Sequence, residues 1–415
     1  MTARTLHGRD ALGLGGLEVV VEHGRTSALT STPDPGPDAP WIGPGLIDLQ
    51  VNGHLDGDAN AAEPSPVHIS AMARSLATHG VTRFLPTVIT ASPAEMLARI
   101  RAIDEAVRTS TATSRAVAGI HVEGPSLSEQ DGPRGVHPLA HIRPPALAEL
   151  QSWLDAAPGL LRVVTLSPHH PGSVEATRFL VAHGVRVAVG HTHATDAEIA
   201  AVVDAGATLS THLGNGAHAV LPRHPNYLWT QLAERRLAAG VIADGHHLPD
   251  ATLATMIAAK RDHGIFLVSD AVATPSALRE SGVSTVGGGV HLADDGALRH
   301  VSTGFLAGSV QTLDVGVATV ARLTGSLSAA LRLATSAPAS VLDDGPHWRV
   351  GARADVLLFD WAPGARAITP RQVLVAGEPA IDSTDDADAA GTRTTDARTT
   401  DAHTTDARTT AGGHR

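Results

Sequence analysis

The sequence predicts an α/β fold, a (β/α)8 barrel of the TIM type with a small β-sandwich domain made from both chain ends. Three observations predict it. Eight short apolar runs rich in β-branched residues follow one another, Ala/Leu-rich segments with helical spacing separate several of them, and polar side chains stand at the carboxyl ends of the runs. With 415 residues, 43% of them hydrophobic, the chain can bury a sizeable core, which excludes a wholly disordered protein.

Both ends of the chain carry short strand patterns. Residues 1–45 contain the alternating stretch LEVVVEHG and a Pro/Gly-rich turn region, and residues 347–381 contain ADVLLFD and QVLVAGEP. Because neither half could bury its own faces, we expect the two ends to pair as one small β-domain beside the barrel.

The last part of the chain differs sharply in composition. From Asp382 onward it is polar, and TTDAR, TTDAH and TTDAR follow one another between Thr394 and Arg408. Such a tract has almost nothing to bury, so residues 382–415 are predicted to form a disordered tail, to which we assign no function.

Residues 46–346 are predicted to form the catalytic barrel. The eight candidate strands are LIDLQVNG (46–53), VTRFLPTV (81–88), VAGIHVEG (117–124), LRVVTLSP (161–168), VRVAVGHTH (185–193), ATLSTHLGN (207–215), AAGVIADGHH (238–247) and IFLVSDA (265–271). Segments with helical spacing between them include SPVHISAMARSLATHG, DAEIAAVVDAG and PDATLATMIAAKRDHG. Eight alternating units of this kind are typical of a (β/α)8 barrel.

Polar residues lie at the carboxyl ends of these runs. They are Gln50, Asn52, Glu123, His191, His212, His246, His247 and Asp270. A closed barrel brings such ends together on one face, where the active sites of this fold lie. A doubly wound open sheet would also place ligands at strand ends, but it has less need of groups from nearly every strand.

Composition excludes several classes of protein. The chain has no cysteine, so disulfides, thiolate nucleophiles and thiolate metal sites are excluded. A net charge of −11 without a basic block speaks against nucleic acid or an anionic membrane as a partner. We see no apolar run of transmembrane length and no secretory signal, so we expect a cytoplasmic protein. The single lysine, Lys260, lies in a predicted helix, which disfavours Schiff-base and P-loop chemistry.

Glu123, His191 and His212 end three different predicted strands. One carboxylate and two imidazoles are a common ligand set for Zn²⁺, with a fourth position open to water. A single histidine at such a position is more often a hydrogen-bonded structural residue than a ligand. Three groups at equivalent strand ends favour a site for one divalent metal ion, and the ligand types suit Zn²⁺.

Other residues are candidates for the chemistry around this ion. Asp270, ending IFLVSDA, is the candidate general base and acid, although it could instead cap the following segment, AVATPSALRE. His137, in GPRGVHP, could polarise a carbonyl group or cap a turn. Arg223, in the loop after the sixth strand, could bind an anion such as phosphate together with His247, or it could face solvent.

Seven motifs occur in a characteristic order. They are PGLIDLQVNG, HVEGPSL with RGVHP, GHTHA, THLGN with a following arginine, DGHH, LVSDA and LAGS. This series resembles that of the N-acetylglucosamine-6-phosphate deacetylases of the amidohydrolase superfamily, over residues 43–360. The chain is similar to the one-metal branch, in which Gln-x-Asn replaces the HxH of the first strand, here Gln50 and Asn52.

The resemblance implies roles for the metal and the catalytic residues. Glu123, His191 and His212 match the metal ligands. Asp270 matches the catalytic acid and base, and His137 matches the residue that helps to polarise the acetamide carbonyl.

The resemblance also implies how the substrate is held. Asn215, the backbone at Gly216 and His247 match substrate contacts. Arg223, eleven residues after His212, matches a phosphate-binding arginine. In relatives this arginine and the histidine are supplied across a dimer interface, so the resemblance implies a homodimer.

The sequence departs from the family pattern in the substrate loop. His193 stands where asparagine is usual in GHTHA, and His224 stands where an acidic residue is common. Gly214, Gly216 and His218 would change the wall of the pocket.

The leading hypothesis is therefore a metal-dependent hydrolase that removes the acetyl group from N-acetylglucosamine 6-phosphate, a small-molecule amino sugar. One alternative, motivated by the changed loop 214–224, is an amidohydrolase that acts on another N-acyl or cyclic amide without the 6-phosphate. The other is a catalytically silent barrel that serves as a binding protein. The intact Glu/His/His/Asp set argues against the silent barrel.

Overall fold

The computed structural model describes residues 3–261, 264–275, 283–284, 289–345 and 347–382. Of the predicted tail 382–415, Asp382 is the last residue of a strand and the rest lies outside the described residues, as do residues 276–282 after Asp270. In the parts of the chain that are described, no helix combines the length and the apolar character needed to cross a membrane.

The two chain ends form one seven-stranded sheet, in the order β20-β19-β18-β4-β1-β2-β3. Its strands are β1 (Arg4–Asp10), β2 (Gly16–Glu22), β3 (Arg25–Thr32), β4 (Trp41–Pro44), β18 (Val356–Asp360), β19 (Thr369–Val375) and β20 (Glu378–Asp382). β1 pairs in parallel with β4, whereas β4 pairs antiparallel with β18 and joins the N-terminal strands to the C-terminal ones. The pairing of the two chain ends predicted from the sequence is therefore observed.

This sheet has its own apolar core. Along β2, Leu17, Val19 and Val21 are buried while the residues between them are partly exposed, as expected for alternating faces of a strand. They pack in one cluster with Val356 and Leu374, which come from the other half of the sheet. The side chains of both chain ends thus share one core.

The barrel is a sheet of eight parallel strands, in the order β14-β13-β12-β11-β10-β9-β8-β5. They are β5 (Leu46–Val51), β8 (Val81–Ile89), β9 (Ile120–Glu123), β10 (Leu161–Leu166), β11 (Arg186–Val189), β12 (Leu209–Ser210), β13 (Ala238–Ile242) and β14 (Ile265–Val268). Each lies within, or one residue beyond, a predicted run, so the predicted fold class is confirmed. Most are shorter than the runs, because the polar residues at the ends belong to loops.

Two faces alternate along the barrel strands. In β14, Phe266 and Val268 pack in one cluster, mainly with side chains of other strands and also with the helical residues Ala339 and Val341, whereas Ile265 and Leu267 pack in the larger cluster on the other face. Both faces are apolar because the strands are covered on both sides, which explains the continuous apolar runs in the sequence.

Eleven α-helices are described outside these two sheets. They are α1 (Pro66–Ala77), α2 (Pro93–Thr109), α3 (Thr111–Ala116), α4 (Leu147–Ala156), α5 (Ser173–Ala182), α6 (Asp196–Asp204), α7 (Tyr227–Ala233), α8 (Asp250–Lys260), α9 (Leu313–Thr324), α10 (Leu327–Ala334) and α11 (Ser336–Val341). Local sequence sets several starts: Ser92 with Glu95 begins α2, and Thr195 with Glu198 begins α6, each as a capping box. The three helices predicted from spacing correspond to α1, α6 and α8.

The described residues also form short elements. A 3-10 turn covers Leu139–His141, and β6 (Gly53–His54) pairs with β7 (Gly57–Asp58). A three-stranded sheet consists of β15 (Val283–Ser284), β16 (Val290–Leu292) and β17 (Leu298–His300).

The barrel closes where β14 meets β5. The backbone N–H of Asp270 donates to the carbonyl oxygen of Gln50 at 3.0 Å, and Val51 forms a parallel bridge with Ala271. The fully buried carboxyl group of Asp48 accepts hydrogen bonds from the backbone N–H groups of Gln50 and Ser269, each at 3.2 Å. Burial raises the pKa of Asp48 to about 7.

The raised pKa of Asp48 predicts that the free energy of unfolding depends on pH. Between its usual pKa near 4 and about 7, the folded state binds a proton that the unfolded state lacks, so the free energy of unfolding falls as the pH rises. The slope is about 1.4 kcal/mol per pH unit. We expect Asp48→Asn, which keeps the acceptor oxygen, to remove this contribution.

Denaturant unfolding of wild type and variant between pH 5 and pH 8 measures the effect. The stability of Asp48→Asn relative to wild type should rise from pH 5 to pH 7 and then level off. The exposed Asp38 provides a control, since Asp38→Asn should run parallel to wild type. Parallel curves for Asp48→Asn as well would contradict the prediction.

Candidate active site and metal centre

A cavity of about 700 Å³ opens at the carboxyl end of the barrel strands. Eight of the nine residues predicted from the sequence line it: Glu123, His137, His191, His212, Asn215, Gly216, His247 and Asp270. The ninth, Arg223, is exposed and does not line the cavity. The strand ends thus converge as the barrel hypothesis requires.

Glu123, His191 and His212 meet at one point. Glu123 is the last residue of β9, and the two histidines follow β11 and β12. The Nε2 atoms of His191 and His212 lie 3.0 Å apart, and they lie 3.2 and 3.1 Å from Oε1 of Glu123. All three side chains are buried.

These residues fit a divalent metal ion. Ligands bound at about 2.0–2.1 Å around a tetrahedral ion are separated from one another by about 3.3 Å, close to the three distances observed. Nδ1 of His191 lies 2.7 Å from the carbonyl oxygen of Pro133, which can only accept a hydrogen bond. Nδ1 therefore carries the proton, and the Nε2 lone pair of His191 faces the other two ligand atoms.

The charges of the ligands are coupled. Burial alone would raise the pKa of Glu123, but the imidazoles of His191 and His212, in their protonated forms, hold it well below its usual range. Burial alone would lower the pKa of His212, but the hydrogen bond and charge of Glu123 raise it. A buried carboxylate in this position needs a nearby positive charge, and a bound cation supplies it.

The backbone is strained at the same residues. His191, His212 and Asp270 have φ values of 47°, 25° and 50°, in the left-handed region that residues other than glycine rarely adopt. Each costs about 1–3 kcal/mol and persists only where the surroundings impose it. Here the strain coincides with the side chains that point into the cavity.

Asp270 faces the ligand cluster through two amide side chains. Its Oδ1 accepts from Nδ2 of Asn52 at 2.7 Å and from Nε2 of Gln50 at 3.2 Å. Gln50 also donates to Oε1 of Glu123 at 3.0 Å. Burial, and then the charge of Glu123, raises the pKa of Asp270 to about 6. The carboxyl group can therefore exchange a proton near neutral pH.

The alternative interpretation of Asp270 as a helix cap finds no support in the described part of the following segment. Residues 271–275 are not helical, and residues 276–282 lie outside the described part of the chain.

His137 lies beside the ligands, with its ring 4.5 Å from that of His191. Its Nδ1 contacts Oγ1 of Thr90 at 2.9 Å. Burial, and then the neighbouring His191, lowers the pKa of His137 to about 3, so the ring is neutral at pH 7. The sequence analysis did not identify Thr90, because this contact joins two loops that are 47 residues apart.

His247 is held by an aspartate that the sequence analysis also missed. Oδ2 of Asp244 lies 2.8 Å from Nδ1 of His247 and accepts from Oγ of Ser309 at the same distance. Burial opposes ionisation of Asp244, but the hydrogen bond from His247 lowers its pKa well below the usual value. The DGHH motif contains this aspartate three residues before the histidine, a spacing that could have revealed it.

The loop after β12 forms the other wall. Gly216 has φ +54, and a Cβ atom there would lie 2.6 Å from Nδ1 of His191, so the loop needs glycine for this close approach. Nδ2 of Asn215 contacts the carbonyl oxygen of His212 at 3.4 Å. Cationic side chains that the sequence analysis did not single out, Arg99 and Arg134, also line the cavity.

A (β/α)8 barrel with a buried Glu/His/His group and a facing aspartate defines the class of metal-dependent hydrolases. The model of the amidohydrolase family matches residues 41–380. The chain is 35% identical to the N-acetylglucosamine-6-phosphate deacetylase of Bos taurus, over 79% of this chain and 81% of that protein. It is 32% identical to the N-acetylgalactosamine-6-phosphate deacetylase of Escherichia coli O157:H7, over 78% and 84%.

Structural similarity agrees with these matches. A mutant N-acetyl-D-glucosamine-6-phosphate deacetylase from Mycobacterium smegmatis, solved in complex with N-acetyl-D-glucosamine-6-phosphate, superposes with a TM-score of 0.79 at 27% identity. The superposition covers 91% of this chain and 99% of that chain. This chain belongs to the N-acetylglucosamine-6-phosphate deacetylase family of the amidohydrolases, and it is a metal-dependent hydrolase that acts on a small molecule.

Proposed function

We propose that the chain hydrolyses the acetamide of N-acetylglucosamine 6-phosphate to glucosamine 6-phosphate and acetate. The observation that carries the proposal is the position of Asp270 opposite the Glu123, His191 and His212 cluster, in one cavity. The similarity to deacetylases of hexosamine 6-phosphates supports the choice of substrate.

The site residues have separate roles in the proposed amide hydrolysis. Glu123, His191 and His212 would hold a divalent cation, which would supply Lewis acidity to the amide carbonyl and to water. Asp270 accepts a proton from the attacking water and later donates it to the amine nitrogen as the C–N bond breaks. In the tautomer in which Thr90 donates to Nδ1, Nε2–H of His137 donates to the carbonyl oxygen.

Gln50 and Asn52 keep Asp270 in place for both proton transfers. Both amide groups donate to Oδ1, so neither of them occupies Oδ2, the oxygen that we propose carries the proton. Their hydrogen bonds stabilise the carboxylate form, in opposition to burial, so the pKa stays within reach of neutral pH.

We also propose that the ion is Zn²⁺ and that the chain works as a homodimer in the cytoplasm. Imidazole and carboxylate ligands suit Zn²⁺.

Arg223 is exposed on a loop outside the cavity of its own chain, where it could complete the site of a partner. A sugar phosphate is charged and does not cross a bilayer unaided, which supports a cytoplasmic location.

Acetate release from three substrates tests the proposal. We expect kcat/KM for N-acetylglucosamine 6-phosphate to exceed that for unphosphorylated N-acetylglucosamine by about 10²-fold, about tenfold for each of the two contacts to phosphate from Arg223 and His247. N-acetylgalactosamine 6-phosphate distinguishes the two sugar epimers named among the relatives. Equal or better activity on the unphosphorylated sugar would favour the alternative function suggested by the changed loop 214–224.

One variant tests whether Arg223 binds the phosphate group. Arg223→Ala should raise KM for the phosphorylated sugar about tenfold and leave the unphosphorylated sugar unaffected. Arg235→Ala, at another exposed arginine, serves as the matched control. An equal loss on both sugars would remove Arg223 from phosphate recognition.

A further inference from the structure

A second group of metal-binding side chains lies outside the cavity. Glu129, His169 and His193 stand on the loops that follow β9, β10 and β11, and none of the three lines the catalytic cavity. One ligand atom of each lies within 4.8 Å of the others. Nε2 of His169 is 3.1 Å from Oε2 of Glu129, and the rings of His169 and His193 are 4.1 Å apart. We call this group the loop site.

Buried serines orient both imidazoles of the loop site. Oγ of Ser167 lies 2.6 Å from Nδ1 of His169, and Oγ of Ser128 lies 2.6 Å from Nδ1 of His193. Both serines are completely buried. A hydrogen bond at one ring nitrogen that leaves the other free for an ion is the arrangement that accompanies histidine ligands in metal sites.

These contacts leave Nε2 of a neutral His169 without a hydrogen-bond donor or a cation beside it. The hydroxyl of Ser167 donates to Oγ1 of Thr192 at 2.7 Å, so Ser167 accepts from Nδ1–H of His169. A neutral ring then has only a lone pair at Nε2, which faces a carboxylate oxygen of Glu129. Two acceptors repel each other at this distance unless a cation lies between them.

Protonation of His169 would supply such a cation at a cost. The ring of His170 lies 3.9 Å from that of His169, on which His193 also packs. Only 12% of the His169 side chain is exposed, so water does little to stabilise an additional charge. A metal ion satisfies both imidazoles and the carboxylate together, with its remaining position open to solvent beside the half-exposed Glu129.

We propose that Glu129, His169 and His193 bind a second divalent ion of the Zn²⁺ type, distinct from the ion of the active site. The ion cross-links three loops at the mouth of the barrel. One of these loops also carries the ligand His191, whose carbonyl oxygen accepts from the backbone N–H of Ser128 at 2.8 Å.

The test counts ions per chain. The full-length protein is stripped with a chelator, loaded with Zn²⁺ and desalted, and its metal content is measured by mass spectrometry. Asparagine at position 193 can keep the hydrogen bond to Ser128 but has no atom in the place of Nε2. We therefore expect two ions for wild type and one for His193→Asn. Glu129→Gln, at a half-exposed position, is a second variant that should also lose one ion.

Two further variants separate the sites. His212→Asn removes an active-site ligand and should also leave one ion, whereas His183→Asn, at an exposed histidine just after α5, should keep two. A wild type with one ion that persists in His193→Asn and Glu129→Gln would overturn the loop site. One ion that is lost in those variants but kept in His212→Asn would instead confirm the loop site and contradict the active-site ion.

Discussion

Replacement of Asp270 by asparagine is expected to reduce kcat by about 10²–10⁴-fold, the range that a positioned general acid and base contributes. The metal content should not change, because Asp270 is not among the three converging ligands. Asparagine can still pack beside Gln50 and Asn52, but it can neither accept a proton from water nor return one to the amine. The loss should therefore fall on kcat rather than on KM.

Steady-state kinetics with parallel metal analysis measures this effect. Asp294→Asn, at an exposed aspartate, is the matched control and should behave as wild type. If Asp270→Asn kept near-normal kcat with its full metal content, the proton transfers would have to be assigned to another group. Loss of the ion in the same variant would instead place Asp270 among the metal ligands.

The barrel and the convergence of its strand ends could be predicted because both follow from periodic patterns. A strand that is covered on both faces has a continuous apolar sequence, as in β14 (Ile265–Val268). The polar residue at the end of each such run indicates the catalytic face of the barrel. Glu123, His191 and His212 could thus be placed together although up to 89 residues separate them. Closure of the barrel then brings these three strand ends to one face.

The partners of the site residues could not be predicted in the same way. Thr90 beside His137 and Ser309 beside Asp244 are contacts between loops, whose distances depend on how each loop turns after its strand. Arg223 shows a different case: the sequence left open whether it binds an anion or faces solvent, and the structure places it exposed, outside the cavity of its own chain. Spacing identifies which strand end carries a group, but not where a long loop directs its side chain.

Glu123→Gln is expected to remove the active-site ion and with it nearly all turnover. Glu123 is the only anionic ligand of the three, and its Oε1 lies 3.2 and 3.1 Å from the Nε2 atoms of His191 and His212. Glutamine keeps the size of the side chain but offers a neutral oxygen, a much weaker partner for a divalent ion. The loss should exceed that of Asp270→Asn, because water activation and carbonyl polarisation disappear together.

The melting temperature of the protein measures the loss of the ion independently of activity. A bound ion stabilises the native protein by an amount that grows with the logarithm of its affinity, so a chelator should lower the Tm of wild type. In the His193→Asn background, where only the active-site ion is counted, Glu123→Gln should contain no ion and should show no response to the chelator. Glu175→Gln, at an exposed glutamate of α5, should keep the wild-type response in the same background. An ion retained in Glu123→Gln would mean that the two imidazoles bind it without the carboxylate, and Glu123 would then serve to orient them.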